Sequence, residues 1–421
     1  MKLAKKIENE IRRKSKIKKF ITPDYEKYCV CNIPNIILSI FGIKSKRRRL
    51  PEKLIEDQLD EIKKVVVILI DSLGYRFLLR TLKKDKEITF NELIKKGEFF
   101  PLTSTFPSMT PITLTTYNTG LTPQEHGIIS SSFFLKKIGK VINVLHFDTV
   151  EDVPENLKKF GIKPKDLLKS ETIFEKLKKN KIKSFIITFE DFLGTDFNDL
   201  IYRGGKEIGY KSYRDSFIKL RKVLEKNKKV YVFSYFYEID ALLHDIGFDQ
   251  EILIEELKEL LSSFKKEFVN KIDPKIAKET LLIITSDHGQ IELSKKKMLY
   301  LREHPNLLKN LSTAPMGGIR YIFFKLKKNK KKEVKKYLSK FKGKALIIET
   351  SKALRKGLFG SGNINKKIYK RIGDILLIPY KNYAFLSPFK EEQEEMLAQH
   401  GGLSDEEMLV PFICVKLSKL K

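Results

Sequence analysis

The amino-acid sequence predicts an α/β protein, in which a buried and mostly parallel sheet is flanked by helices. Apolar runs rich in Val, Ile and Phe recur along the chain, namely KKVVVILID, KSFIITF, KKVYVFSYF, ETLLIITSDHG and MLVPFICVKL. Near-continuous apolar runs are typical of strands that are covered on both faces. Amphipathic stretches such as EILIEELKELLSSFKKEF separate the runs and have the periodicity of surface helices.

We expect three regions. Residues 1–60 form a basic N-terminal extension, in which a basic helix precedes the partly helical stretch NIPNIILSIFG. Residues 61–290 and 398–421 form the α/β catalytic core. The intervening residues 291–397 change to short strands with a Lys-rich helix, as in GGIRYIFFKLKK and GKALIIE, and we interpret them as an inserted α+β cap. A chain of 421 residues is long enough for such an insertion.

Composition narrows the class of protein. The chain has no window of eighteen uncharged apolar residues and no signal-peptide segment, so we expect no membrane span and a cytoplasmic location. Cys29, Cys31 and Cys414 form no CxxC pair, which fits packing residues in a reducing compartment. The net charge of +30 would attract polyanions, but the lysine runs are scattered and lack interleaved aromatics. A solvated surface is therefore favoured over nucleic-acid binding, which stays open, as does the oligomeric state.

Three of the apolar runs are followed by an aspartate. We expect Asp71, Asp240 and Asp287 at the carboxyl ends of their strands, where ligands of open α/β sheets bind. A single aspartate in this position is often a helix N-cap. Three together indicate a carboxylate cluster, because a carboxylate beside an apolar core is costly unless it is paired or bound to a metal.

Histidines strengthen this interpretation. Asp240 and His244 are spaced i, i+4, which places both on one helical face, and His288 directly follows Asp287. His400 lies in the glycine-containing turn QHGGLS before the last strand. Six such ligands suit two ions and match the ligand preference of zinc, with manganese, iron or cobalt as alternatives. The remaining histidines are expected as a turn residue, a packing residue and a helix-cap or substrate-side residue: His126, His146 and His304.

The segment FPSMTPITLTTYNTGLTPQEHGI is rich in threonine. Thr110 precedes Pro111, and this pair is typical of the N-cap and first residue of a helix. A phosphoryl group bound there would meet the helix N-terminal amides and the metals, so Thr110 is the candidate nucleophile, although a plain cap would look the same in isolation. Thr113, Thr115 and Thr116 are expected on the helix surface or bonded to i−4 carbonyls.

Taken together, the motifs resemble the alkaline phosphatase superfamily, and within it the type I phosphodiesterase and nucleotide pyrophosphatase branch. The matching segments are VILIDSLGY, FPSMTP followed by TGLTPQEHGI, EIDALLH, ITSDHG and QHGGLSDEEMLVPF, in this order. They extend from about residue 65 to the C-terminus. The resemblance implies an alkaline-phosphatase-like core and two metal ions, with one ligand set of Asp240, His244 and His400 and another of Asp71, Thr110, Asp287 and His288.

The resemblance also implies that Thr110, ten residues before Gly120, attacks phosphorus and forms a phospho-enzyme intermediate. Branch members that act on nucleotides commonly carry an asparagine where this chain has Ser131, which weakens the case for nucleotides. Sulfatase signature residues are absent. The candidate substrate-binding residues are Ser131, Phe133, Phe134 and Arg320.

We therefore expect a metal-dependent hydrolase of phosphodiester or phosphoanhydride bonds that acts on a small phosphorylated substrate, with nucleotides among the candidates. A phosphomonoesterase or phosphotransferase using the same site is the alternative. A catalytically silent polyanion-binding protein is a more distant one.

Overall fold

The structure, a computed structural model, describes residues 1–45, 49–151, 153–388 and 395–421. Part of the basic run KSKRRR and residues 389–394 of the predicted cap lie outside the described residues. No helix among the described residues is both long and apolar enough to cross a membrane.

The described residues form strands and helices in alternation over much of the chain. The strands are β1 (Lys64–Ile70), β2 (Glu98–Thr103), β3 (Ser132–Leu135), β4 (Lys140–Asn143), β5 (Asp148–Thr149), β6 (Lys183–Phe189), β7 (Lys206–Tyr210), β8 (Val230–Phe236), β9 (Thr280–Thr285), β10 (Ile291–Glu292), β11 (Met298–Tyr300), β12 (Met316–Gly318), β13 (Tyr321–Phe324), β14 (Ala345–Glu349), β15 (Ile375–Pro379), β16 (Ala384–Leu386), β17 (Ala398–Gln399) and β18 (Leu409–Lys416). The α-helices are α1 (Lys2–Lys14), α2 (Ile33–Ile40), α3 (Tyr75–Lys84), α4 (Thr89–Lys96), α5 (Thr110–Thr119), α6 (Pro123–His126), α7 (Pro164–Leu167), α8 (Ile173–Lys179), α9 (Asp196–Ile201), α10 (Tyr213–Lys226), α11 (Glu238–Ile246), α12 (Gln250–Ser263), α13 (Pro274–Lys278), α14 (Pro305–Leu308), α15 (Lys331–Leu338), α16 (Thr350–Arg355), α17 (Ile368–Arg371) and α18 (Asp405–Met408).

A seven-stranded sheet lies at the centre, in the order β2-β18-β9-β1-β8-β6-β7. Neighbouring strands from β9 to β7 pair in parallel, whereas β18 is antiparallel to both of its neighbours. Strands β1, β8 and β9 are buried along their whole length, as their continuous apolar sequences predict. The predicted fold class, a mostly parallel sheet flanked by helices, is confirmed.

The topology brings distant segments to one edge of this sheet. Strands β9, β1 and β8 are adjacent and parallel, so the residues that follow them lie side by side at their carboxyl ends. Because β18 is antiparallel, the residues that precede it lie at the same edge. Four segments that are far apart in the sequence therefore meet at one place.

Residues between β9 and β18 form a second, smaller structure. Strands β12, β13, β15 and β14 make an antiparallel sheet in the order β12-β13-β15-β14, and residues of this region form a separate apolar cluster. The pair β10–β17 joins Ile291 to Gln399, so the two ends of the predicted cap lie together. The N-terminal helix α1 buries one face through Ala4, Ile7 and Ile11.

The three cysteines, Cys29, Cys31 and Cys414, are buried, as expected for packing residues.

Candidate active site

Asp71 and Asp287 lie together at the sheet edge, after β1 and β9, and both are buried. Asp71 Oδ2 accepts a hydrogen bond of 2.5 Å from the Tyr235 hydroxyl. Asp287 Oδ1 accepts from the backbone N–H groups of Ser72 and His288, at 3.3 and 2.9 Å. Asp71 Oδ1 and Asp287 Oδ2 have no hydrogen-bond partner among the described residues. Two buried carboxylate oxygens are therefore unsatisfied, which is costly unless a cation or a proton is present.

The Nε2 atom of His288 marks the point on which this group converges. It lies 3.1 Å from Asp287 Oδ2 and 3.6 Å from Asp71 Oδ1. It also lies 3.2 Å from the Oγ1 atom of Thr110. Two carboxylates, an imidazole and a hydroxyl thus share one small space, and we call these four residues the threonine group.

Asp240, His244 and His400 form the neighbouring group, called the α11 group here, and offer three ligand atoms within 4.8 Å of one another. The Nε2 atoms of His244 and His400 lie 3.4 and 3.7 Å from the Asp240 carboxylate. Their Nδ1 atoms face the carbonyl oxygens of Ala398 and Ser108 at 2.9 and 3.0 Å. A carbonyl can only accept, so each Nδ1 carries the hydrogen and each Nε2 presents a lone pair.

The two groups are in contact. The rings of His288 and His400 stack with their centroids 3.8 Å apart. Asp71, Asp240 and His288 also offer three ligand atoms within 4.8 Å, so Asp240 lies within reach of both groups.

The position of Asp240 corrects the sequence prediction, because β8 ends at Phe236 and Asp240 lies in the first turn of α11 instead of at the strand end.

The local electrostatics give the three carboxylates different pKa values. Burial, reinforced by the neighbouring carboxylates, raises the pKa of Asp71 well above its usual range. Burial likewise raises the pKa of Asp287 to about 7. Burial acts in the same direction on Asp240, but the imidazoles of His244, His400 and His288 outweigh it and lower its pKa. The pKa of His288 falls well below its usual value because of burial and the nearby His400.

This donor set fits divalent cations. Carboxylate oxygens and neutral imidazole nitrogens are the ligands that zinc prefers after thiolates, and manganese, iron and cobalt accept the same atoms. A cation between the buried carboxylates would satisfy the two unpartnered oxygens and offset the burial that raises their pKa values.

The local structure at Thr110 differs slightly from the prediction. Helix α5 begins at Thr110 itself, and the extended Met109 precedes it without a side-chain cap. Thr110 is therefore the first helical residue, and its hydroxyl is directed to His288 instead of capping the helix. It is half-buried, in contrast to the fully buried site carboxylates Asp71 and Asp287.

The other threonines of α5 are not surface residues, since Thr113, Thr115 and Thr116 are all buried. Thr115 donates to the carbonyl of Pro111, four residues earlier, as one of the two expected roles. Thr116 instead contacts His126 Nε2 at 3.0 Å. These hydroxyls are used inside the core because α5 is buried on all sides.

The predicted substrate-binding residues lie in different environments. Ser131 is nearly buried, and both its N–H and its Oγ lie 2.9 Å from the Tyr321 hydroxyl. Phe133 is fully buried beneath the guanidinium of Arg371, 4.6 Å from the ring centroid. Phe134 is half-buried beside Lys325 and lines a 530 Å³ groove, but none of the predicted metal ligands lines this groove.

Arg320 is also fully buried, and its guanidinium forms an ion pair with Glu407 at 2.9 Å. The expectation that Phe133 and Arg320 present their side chains to a substrate is corrected by this burial. Sequence alone could not show it, because the covering residues Arg371 and Glu407 come from distant segments.

The remaining histidines have ordinary environments. His146 is exposed, which corrects its interpretation as a packing residue. His126 ends α6 beside Gly127 and accepts from the backbone N–H of Ile128 at 3.0 Å. His304 precedes α14, and its Nδ1 lies 3.0 Å from the Tyr337 hydroxyl.

Three residues around the two groups escaped the sequence analysis: Ser72, Tyr235 and Gln290. Gln290 donates to Asp240 Oδ1 at 2.7 Å. Ser72 and Gln290 each lie within two residues of a predicted ligand, and this adjacency was the available signal. Tyr235 lies in an apolar strand, where nothing in the sequence distinguishes it from a core aromatic residue.

Similarity to known proteins identifies the family to which this chain belongs. The family model for type I phosphodiesterase / nucleotide pyrophosphatase matches residues 65–403. An uncharacterized pyrophosphatase/phosphodiesterase of Schizosaccharomyces pombe is 25% identical over 272 residues, which cover 61% of this chain and 51% of that protein. This chain thus spans about half the length of that curated relative.

Solved structures share the fold. A murine ectonucleotide pyrophosphatase / phosphodiesterase 5, in an inactive threonine-to-alanine variant bound to AMP, superposes with a TM-score of 0.59 and 17% identity over 84% of this chain and 88% of that one. Phosphonoacetate hydrolase of Sinorhizobium meliloti, bound to phosphonoformate, gives a TM-score of 0.60 and 15% identity over 84% and 90% of the two chains.

Proposed function

Because the chain belongs to the type I phosphodiesterase / nucleotide pyrophosphatase family, we propose that it hydrolyses phosphodiester or phosphoanhydride bonds with two divalent metal ions and a threonine phospho-enzyme intermediate. One observation carries this proposal. The Thr110 hydroxyl lies 3.2 Å from His288 Nε2, the atom that the unpartnered oxygens of Asp71 and Asp287 also approach. Thr110 is thus the one half-buried member of the threonine group, whose other members are buried.

In this proposal the α11 group holds one ion and the threonine group holds the other. Zinc is the proposed metal, and manganese, iron or cobalt would fit the same ligands. Bound ions would lower the pKa of the threonine hydroxyl and neutralise charge on the phosphoryl oxygens.

The protein's own groups position the reaction. Thr110 begins the ten-residue helix α5, so the partial positive charge of the helix N-terminus favours a phosphoryl group in front of it. Thr110 Oγ forms a bond to phosphorus while the bond from phosphorus to the leaving-group oxygen breaks. Water then cleaves the phosphothreonine from the opposite side and releases phosphate or a phosphomonoester, which restores the hydroxyl.

Half-buried aromatic residues next to the site support an organic leaving group or ester substituent. Phe189, Phe192 and Tyr237 follow or end strands β6 and β8, and their rings lie 5.1 to 5.9 Å apart. Phe192 also contacts Tyr235, which binds Asp71. We place the substituent against this cluster, in place of the predicted slot that used Phe133.

The solved relatives indicate which substrates to test first. The murine relative binds AMP and the Sinorhizobium meliloti relative binds phosphonates, so nucleotides and small phosphonates are both to be tested. Ser131 remains the proposed neighbour of a phosphate oxygen, and residues 291–397 the proposed cap that selects the substrate. A cytoplasmic location, which the low cysteine content favours, is part of the proposal.

The test compares diester and monoester hydrolysis. Protein stripped with a chelator is assayed on bis-p-nitrophenyl phosphate and p-nitrophenyl phosphate, with and without added zinc or manganese. Wild type is expected to require metal and to prefer the diester. Thr110→Ala is expected to lose about 10³-fold or more in kcat, because it lacks the nucleophile. By peptide mass spectrometry, acid-quenched wild-type protein is expected to carry a p-nitrophenyl phosphoryl group on Thr110 after reaction with the diester, and a phosphoryl group after reaction with the monoester.

Thr115→Ala is the matched control, because it removes a hydroxyl from the same helix that bonds only to a backbone carbonyl. Its turnover is expected to stay within a few-fold of wild type. Activity that is unchanged in Thr110→Ala would refute the assignment of Thr110 as the nucleophile. Faster monoester hydrolysis would favour the monoesterase alternative, and salt-sensitive polyanion binding without turnover would favour a silent protein.

A further inference from the structure

Ser72 is the residue that links the two ligand groups. It directly follows Asp71, is fully buried and has a φ of 60°. This left-handed conformation is uncommon for a residue other than glycine and is strained, and such residues cluster at functional sites. A glycine would adopt the same turn without strain, so we expect the serine side chain to have a role that offsets the strain.

The hydroxyl of Ser72 makes a directional bond to Asp240. Its Oγ lies 2.6 Å from Asp240 Oδ1. An ionised carboxylate only accepts hydrogen bonds, so Ser72 uses its single proton as the donor here. Its Oγ can then act only as an acceptor towards every other neighbour.

This constraint decides the tautomer of His288. The Nδ1 atom of His288 lies 3.2 Å from Ser72 Oγ. Because Oγ has no second proton, Nδ1 must carry the hydrogen and donate it. The lone pair of His288 is therefore on Nε2, the atom that faces Thr110, Asp71 and Asp287. A histidine in this tautomer is ready to bind a cation through Nε2.

Two further contacts complete the arrangement. The backbone N–H of Ser72 donates to Asp287 Oδ1 at 3.3 Å. The side-chain amide of Gln290 donates to Asp240 Oδ1 at 2.7 Å and approaches Ser72 Oγ at 3.2 Å. Ser72 thus touches two members of the threonine group and one member of the α11 group at the same time.

We infer that Ser72 is a positioning residue that couples the two metal sites, by orienting Asp240 for one and fixing the tautomer of His288 for the other. This inference rests on the proposed two-metal function. Ser72 itself is not a catalytic residue, since its hydroxyl is fully engaged by ligands. Loss of a partner that orients a metal ligand typically weakens metal binding 10- to 100-fold, and this is the expected effect of removing the Ser72 hydroxyl.

Two substitutions distinguish the effect of the Ser72 hydroxyl from the effect of the backbone strain. Ser72→Ala and Ser72→Gly both remove Oγ, but only glycine also relieves the left-handed conformation. Zinc stoichiometry and affinity of the chelator-stripped full chain are measured by competition with a chromogenic chelator. Unfolding by urea in the absence of metal is measured alongside. Ser216→Ala is the matched control, because its buried hydroxyl in α10 donates to the carbonyl of Tyr213, three residues earlier, and contacts no proposed ligand.

Both Ser72 variants are expected to bind zinc about 10- to 100-fold more weakly than wild type, while Ser72→Gly unfolds at a urea concentration at least as high as that of Ser72→Ala. Ser216→Ala is expected to bind zinc within about twofold of wild type, because the hydrogen bonds between Ser72 and the ligands stay intact. Wild-type zinc affinity in Ser72→Gly would overturn the inference, since the hydroxyl would then be dispensable.

The outcome for wild type distinguishes this inference from the proposed function. Two zinc ions bound by wild type, with turnover that depends on Thr110, and unchanged zinc affinity in Ser72→Gly would reject Ser72 alone. Failure of wild type to bind zinc, manganese, iron or cobalt would reject the proposed function and the coupling together.

Discussion

The buried ion pair between Arg320 and Glu407 allows a quantitative prediction. Both side chains are fully buried, and two bonds of 2.9 Å join Arg320 Nε and Nη2 to the two carboxylate oxygens. Glu407→Gln leaves the guanidinium buried without a counterion. Breaking a buried pair in this way costs about 3–5 kcal/mol of unfolding free energy. The loss of two charge-assisted hydrogen bonds, at about 1.5–3 kcal/mol each, gives about 3–6 kcal/mol, which overlaps this range.

The assay is a double-mutant cycle with Glu407→Gln, Arg320→Met and the double variant. Urea unfolding is followed by far-ultraviolet circular dichroism and by tyrosine fluorescence, since the chain has 16 Tyr and no Trp. Each single variant is expected to lose about 3–5 kcal/mol, and the double variant to lose at least about 2 kcal/mol less than the sum. Losses below about 1 kcal/mol, or costs that simply add, would refute the reasoning.

The same pair makes the stability depend on pH. Burial acts to raise the pKa of Glu407, but the charge and hydrogen bonds of Arg320 outweigh it, so the pKa is lower than its usual 4.5. A carboxylate with a lowered pKa stabilises the folded state above its unfolded pKa, and this contribution is lost as the pH falls. The stability difference between wild type and Glu407→Gln is therefore expected to be constant above about pH 5 and to shrink below pH 4.5.

Two further predictions concern the ligand groups. In Gly289→Ala the new Cβ would lie 2.1 Å from the Glu406 carbonyl oxygen and 2.8 Å from Gly74 Cα, so the turn after His288 must shift. We expect a loss of about 1–3 kcal/mol in urea unfolding and weaker zinc binding, with Gly139→Ala, whose surroundings are open, as the control with unchanged zinc affinity. Because the pKa of Asp287 is raised to about 7, zinc binding should release more protons at pH 6 than at pH 8. Calorimetry in buffers of different ionisation enthalpy measures this release, and equal release at both pH values would contradict the burial argument.

The central sheet and the ligand positions could be predicted because they depend on local sequence patterns. Strands buried on both faces require apolar residues at every position, so β1, β8 and β9 stand out as continuous runs. Polar residues at the ends of such runs are conspicuous, which singled out Asp71 and Asp287. The fold then brings these ends together, because the three strands are adjacent and parallel.

Other features depend on packing between distant segments and were not predictable. The apolar run of β8 extends one residue beyond the strand to Tyr237, and α11 begins directly after it, so the sequence pattern does not mark the end of the strand. The burial of Phe133 depends on Arg371, and that of Arg320 on Glu407. The φ of Ser72 is likewise invisible in the sequence, where serine normally indicates an ordinary turn.

His400 is held in place by contacts from both sides of its segment. It lies in the segment by which the chain returns from β17 to β18, and it reaches the carboxyl edge of the sheet because β18 runs antiparallel to β9. Glu407 in the same segment accepts from the N–H of Gly402 at 2.8 Å and binds Arg320, which precedes β13. The segment that carries this proposed ligand is thus held by an ion pair to Arg320, within the proposed cap. Breaking that pair should therefore weaken zinc binding at the α11 group as well as lower stability, whereas a purely structural pair would change stability alone.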